Sequence, residues 1–193
     1  MDFENPDFLF VLVDGRLVPR LFPFFYRRYA DTIELQGNES VLDFGAGSGG
    51  IAMHLAPRLK DGGSVTCVDI CPPLVRIAEK RLRRYSNATC VLGRIENLNL
   101  GEASFDRIVI HNALHDIPEG ERKDTVAELA RVLKAGGKLH LREPVKPSHG
   151  AAVDEICTLM NGVGLEEERS SEYRLFPIGP VYDAVFAKMR MTR

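Results

Sequence analysis

Residues 41–50 read Val41-Leu-Asp43-Phe-Gly45-Ala-Gly47-Ser-Gly49-Gly50. An apolar run with strand character, Ser40–Phe44, opens into this glycine-rich turn. The pattern over Gly50–Lys60 then predicts a helix with Ile51, Leu55 and Leu59 on one face. Glycine lets a backbone turn through positive φ and lets a ligand approach the main chain closely. The next apolar run, Ser64–Asp69, ends on a carboxylate 22 residues after Gly47. A carboxylate at that place can accept both hydroxyls of an adenosine ribose. Two classes of adenosine cofactor share the layout. Gly45, Gly47 and Gly50 fit the dinucleotide pattern G-x-G-x-x-G, whose loop binds a pyrophosphate. Asp43 argues the other way, because a carboxylate in the approach to the loop repels a pyrophosphate and attracts an ammonium group.

Outward from the loop the chain alternates short apolar runs with helical patterns. Pro72–Tyr85 predicts a helix with Leu74, Ala78, Leu82 and Tyr85 in register, and Pro57 ends or kinks the helix before it. Ala88–Leu92, Phe105–His111 and Lys138–Arg142 predict further strands. Asp116-Ile-Pro-Glu119 reads as a capping box ahead of a helix that Gly136-Gly137 terminates. A helix near Ala151–Met160 precedes two strands, roughly Leu165–Phe176 and Pro180–Met189, with no helix between them. The expected architecture is α/β: a doubly wound, mostly parallel seven-stranded sheet closed by a C-terminal antiparallel hairpin. That hairpin is foreign to the usual dinucleotide fold. Ligand is expected beyond the carboxyl ends of the strands.

The 193 residues suit one domain of ordinary composition, with 45% hydrophobic and 27% charged residues. A net charge of -2 gives no global attraction to nucleic acid or an anionic membrane. No apolar run approaches the ~20 residues of a membrane span, and the N-terminus lacks a basic signal-peptide region. Cys67, Cys71, Cys90 and Cys157 form no disulfide framework, and Cys67-x₃-Cys71 matches no zinc-site spacing, so no metal is expected. A reduced, cytoplasmic protein follows; its oligomeric state is not encoded in any pattern. The division expected is 1–37, an aromatic-rich helical segment, and 38–193, the cofactor-binding domain. Phe3, Phe8, Phe10, Phe22, Phe24, Phe25, Tyr26 and Tyr29 make up more than half of the fifteen aromatics. Such a segment is expected to pack, either covering one face of the sheet or forming a lid over the ligand cleft.

The sequence resembles the class I S-adenosylmethionine-dependent methyltransferases. Val41–Gly49 is similar to their first motif and Val65–Ile70 to their second. Ile108–Pro118 and Ala127–Gly137 resemble the small-molecule branch that includes the ubiquinone and menaquinone methyltransferases. The resemblance implies S-adenosyl-L-methionine as cofactor and a small-molecule methyl acceptor. Asp43 would hold the cofactor's amino group, Gly45 and Gly47 would pass under its methionine moiety, and Gly49 would open the helix. Asp69 would bind the ribose, and Ile70 would pack on the adenine. Arg94 stands where the family often has an acidic residue for the adenine amine, with Ile95 beside it for the ring. His111 and Asn112 would border the transferred methyl. For an acceptor that carries a proton, His111, His115 and Glu143 are the candidate bases, with His111 and Glu143 foremost. The alternatives are a nicotinamide-dependent oxidoreductase, an RNA methyltransferase or a non-catalytic binding module. The basic run Arg76, Lys80, Arg81, Arg83 and Arg84 reads as a solvated helix face.

Overall fold

The computed structural model describes residues 6–146, 149–176 and 178–189. Phe3 and Pro177 lie outside the described residues. Two compact units divide the chain, 1–94 and 95–193.

In the first unit, β1 (Ser40–Phe44), β2 (Ser64–Asp69) and β3 (Ala88–Leu92) pair in parallel with β2 in the middle. Asp43, Cys67 and Cys90 stand in one lateral row of the register. Buried Val41, Leu42, Val65 and Val68 give the strands their core. The helix after the glycine turn is short: α4 covers Ala52–Leu55 and passes into a 3₁₀ turn, Ala56–Arg58. Pro57 lacks the N–H that an α-helix needs there. Helix α5 (Pro72–Leu82) starts on its proline and buries Leu74, Val75, Ala78 and Leu82. Tyr85 lies beyond its end.

The N-terminal segment is a broken helix: α1 (Phe8–Leu12), a π-helical turn (Val13–Leu17), α2 (Val18–Leu21) and α3 (Pro23–Thr32). Phe22 (φ -125°, ψ 47°) breaks it because Pro23 must begin a new helix. The expectation that the aromatics pack holds only in part. Tyr29 is buried, whereas Phe8, Phe22 and Phe24 are exposed. The segment is held at several places, among them Arg58, which donates to the Ala30 carbonyl at 2.7 Å and pairs with Asp31. Gly15 lies against Leu74 and Ile77 of α5, and the Tyr26 ring lies on Gly50.

In the second unit, β4 (Phe105–His111) pairs in parallel with β5 (Leu133–Lys146). Strand β5 pairs antiparallel with the two-residue β6 (His149–Gly150) and with β8 (Gly179–Lys188), which pairs antiparallel with β7 (Leu165–Leu175). Helix α7 is Val153–Asn161. Together the two units carry the expected strand inventory: seven substantial strands, mostly parallel, ending in an antiparallel pair. Two details differ from the sequence expectation. Helix α6 (Glu119–Val132) has Pro118 at its N-cap with no side-chain cap, so the Asp116–Glu119 box does not form. Asp116 belongs to a preceding 3₁₀ turn, Leu114–Asp116, and Glu119 opens the helix instead of sitting three residues in. The helix also stops before Gly136-Gly137. Leu133 already pairs with Phe105, and the glycines turn the chain where the register shifts, with Gly136 at φ 78°.

A Cβ at position 50 would sit 2.7 Å from the Tyr26 ring. Gly50→Ala is therefore expected to lower stability by about 1–3 kcal/mol in urea unfolding. Tyr26→Ala in the same chain should restore most of that loss; purely additive effects would show that the two sites do not meet.

Candidate functional site

The glycine turn is folded back on the first unit. The N–H groups of Gly45 and Ala46 donate to the Val68 carbonyl at 2.9 and 3.1 Å, and the Gly49 N–H donates to Ala46. Gly45, Gly47 and Gly49 take positive φ (65°, 54° and 76°), a cost that glycine alone avoids. Gly49 serves packing too, since a Cβ there would press on Ala78 and Leu82 of α5. The Gly47 N–H donates to Asp69 Oδ2 at 2.7 Å. Arg81 braces the far side, donating to the Ser48 carbonyl (2.7 Å), to Ser48 Oγ (2.9 Å) and to the Gly15 carbonyl (3.2 Å). Arg81 is thus an internal brace and no part of a solvated helix face. Four of the turn's N–H groups are spent inside the protein, and α4 is a single turn. Both facts speak against a pyrophosphate cradle.

Asp43 ends β1 almost fully buried, and its Oδ2 has no hydrogen-bond partner. Burial, opposed by the Ala52 N–H and reinforced by the Asp69 charge, pushes its carboxyl up to about 7. A buried acceptor without a donor is costly and marks a place prepared for one. Asp69 is also raised by burial, against the N–H groups of Cys71, Gly47 and Ile70. Its Oδ1 accepts from Cys71 at 2.8 Å. Three donors on a carboxylate with about four acceptor positions leave room for one more. In this geometry Asp69 can take one hydroxyl; a second requires one of those N–H groups to leave. Ile70 is half-buried beside it and Arg94 is exposed.

The second unit gathers a different cluster. His111 closes β4; burial first, and the Arg142 charge second, push its imidazole down to about 3. It is neutral at physiological pH and too weak a base for efficient proton abstraction. Asn112 has φ 55°, and its buried Oδ1 has no partner. Ile95 is fully buried. Glu143 is neither solvated nor free. It is wholly buried, taking the N–H groups of Ala113 and Leu114 at 2.8 Å on Oε1 and His115 Nδ1 at 2.6 Å on Oε2. Arg122 holds the same loop, donating to the carbonyls of Ile117 (2.9 Å) and His115 (3.0 Å). For His115, burial alone would lower the pKa, but the hydrogen bond to Glu143 and the charges of Glu143 and Asp116 raise it overall. Glu143 is thus placed as the anchor of the loop after β4. Sequence reasoning missed this clamp because the Glu143 contacts reach across 28 to 30 residues, and missed Arg122 because bonds from its side chain to nearby main-chain carbonyls follow no recognisable motif.

Sequence thus places Asp43, Gly45, Gly47, Gly49, Asp69 and Ile70 around one turn of the first unit, and His111 and Asn112 at one strand end of the second. A cavity of about 400 Å³ lined by Pro57, Asp61, Tyr85 and Asn87 lies at the amino ends of β2 and β3. Ligands of open parallel sheets bind at the opposite, carboxyl ends.

The methyltransferase-domain family matches residues 41–137, half of the chain. The chain belongs to this family. Among curated relatives of this methyltransferase domain, a ubiquinone/menaquinone biosynthesis C-methyltransferase of Shewanella oneidensis is 31% identical over 131 residues, 65% of this chain and 51% of that protein. A demethylmenaquinone methyltransferase of Tropheryma whipplei is 36% identical over 101 residues, 52% of this chain and 40% of that protein. The chain spans about half the length of these relatives or less. The N-methyltransferase NodS of Bradyrhizobium japonicum, solved with S-adenosyl-L-homocysteine, superposes with a TM-score of 0.73 at 19% identity, over 97% of this chain and 95% of that one. The fold is that of the class I methyltransferases.

Replacing Glu143 with Gln keeps the shape and removes the charge. The His115 titration midpoint, followed by NMR, is expected to fall, and urea unfolding to show a loss of about 1–3 kcal/mol. An unmoved His115 midpoint would contradict the clamp.

Proposed function

We propose that this methyltransferase domain uses S-adenosyl-L-methionine to methylate a small-molecule acceptor. The single observation that carries the reading is the unpartnered Asp43 oxygen beneath a glycine turn whose own N–H groups are already used. That donor set suits a cationic ligand with a primary amine and a ribose, and does not suit a diphosphate. When bound, the cofactor supplies a methyl group already activated by a positively charged sulfur. Asp43 is assigned to the amine and Asp69 to one ribose hydroxyl. Gly45 and Gly47 admit the ligand past the main chain, and Ile70 offers apolar contact to the base.

From the second unit, His111, Asn112 and Ile95 are assigned to the methionine and adenine ends on the family resemblance. His111 serves there as a neutral hydrogen-bonding group. Glu143, by fixing the loop after β4, acts as a positioning residue; holding reactants in line is worth about 7–11 kcal/mol in favourable cases. Arg94, being exposed, is assigned at most to the outer edge of the base. Residues 1–37 are assigned to a segment whose described part packs on α5 through Gly15 and on the glycine turn through Tyr26. The relatives' names favour a quinone-like aromatic acceptor methylated at carbon. Among the described residues no helix is long and apolar enough to cross a membrane, and all four cysteines are free. Free thiols support a reducing, cytoplasmic setting.

Calorimetry with S-adenosyl-L-methionine and S-adenosyl-L-homocysteine tests the reading. Both are expected to bind, with affinity rising as pH climbs toward and past 7, because the amine pairs with the ionised form of Asp43. Asp43→Asn should flatten that pH dependence and Asp69→Ala should weaken binding ~10–100-fold. Binding of NAD with none of either sulfur compound would overturn the assignment.

A further inference from the structure

We propose that the broken N-terminal helix docks the protein onto an anionic lipid surface. Leu21, Phe22, Pro23 and Phe24 are four consecutive exposed residues at the bend between α2 and α3. Leu21 is 66% exposed, Phe22 47% and Phe24 60%. Phe8 and Leu9, at 80% and 67%, extend the apolar surface of the same segment. The bend displays these side chains because Pro23 forces a new helix to start, so the residues on either side of the junction turn away from the core. The aromatic rings meet each other: Phe25 lies 5.9 Å from Phe22 and 5.5 Å from Phe24, between ring centres.

Charge selects the partner. Residues 15–30 contain Arg16, Arg20, Arg27 and Arg28 and no Asp or Glu. All four arginines are exposed. The helices over residues 8–32 also carry Asp14 and Asp31, which leaves them a net charge of +2 against -4 for the rest of the chain. Exposed Phe and Leu interleaved with Arg are the ingredients of an interfacial helix. The apolar side chains enter the acyl boundary while guanidinium groups reach lipid phosphates along their own methylene stems. A second copy of the chain is a poorer occupant, because a self-complementary contact would bring four arginines against four arginines, with Asp14 and Asp31 alone in these helices to answer them and Asp31 already paired with Arg58. The segment is fixed to the glycine turn by Arg81 and Tyr26, so docking and the cofactor site belong to one unit.

The test is co-sedimentation of the whole chain with sucrose-loaded vesicles, of pure phosphatidylcholine or with about a third phosphatidylglycerol. Partitioning is expected to be at least ~10-fold stronger on the anionic vesicles and to fall at high salt. Arg16→Glu with Arg20→Glu should lose ~10-fold of it, as should Leu21→Ser with Phe22→Ser and Phe24→Ser. Melting temperatures of both variants should match the parent. Should the apolar variant unfold, the arginine variant, altered only at exposed side chains, decides. Equal partitioning on both vesicles, no partitioning, or undiminished partitioning of the arginine variant would overturn the proposal. So would a self-association that the apolar variant abolishes in a protein that ignores anionic vesicles.

Discussion

A carboxylate with one oxygen left without a donor, shut inside the first unit near the end of β1, is the constraint from which the site follows. Keeping Asp43 there costs stability. Its folded pKa near 7 lies above the ordinary 3.8, so its contribution is fully present below about pH 4 and lost as pH rises to about 7. At neutral pH that loss is on the order of 4 kcal/mol, a substantial share of a domain's total stability. A core designed only to fold would place an apolar residue at this strand position. A cationic ligand meeting the ionised form would offset the cost, so under the proposed function the same residue weakens the free protein and favours a cofactor with an amine.

The surrounding turn is arranged so that little else binds. The Val68 carbonyl takes two of its N–H groups, Asp69 takes a third and Ala46 a fourth. Arg81 then pins Ser48 and the N-terminal segment to α5. The outcome is a turn that offers shape and a buried negative group in place of a row of open donors. On the second unit the logic is different. A buried Glu143 consumes the N–H groups of the loop after β4, and Arg122 consumes its carbonyls. His111 and Asn112 are therefore presented by a loop whose polar groups are already spoken for.

Much of this was legible in the residues. The order of strands and helices, the terminal antiparallel pair and the positive φ of Gly45 and Gly47 follow from local chemistry: apolar runs, helical spacing and glycine where the chain turns. What escaped was non-local or competitive. The Asp116–Glu119 box has the right residue types, but Pro118 occupies the cap that Asp116 would need. Gly136-Gly137 looks like a helix stop, yet Leu133 is claimed by pairing with Phe105 three residues earlier. Glu143 reads as a candidate base at the end of a strand because nothing local announces its partners, 28 to 30 positions away. The aromatic N-terminus misled in the other direction. Composition demanded burial, whereas the proline at position 23 splits the helix and leaves the Phe22 and Phe24 rings outside.

The state of the Asp43 carboxyl is the most direct test of the account. Its side-chain ¹³C shift should be followed by NMR as a function of pH, with and without S-adenosyl-L-homocysteine. A titration midpoint near 7 in the free protein, moving to markedly lower pH in the complex, is the predicted result. A midpoint near 4 that ignores the ligand would contradict it.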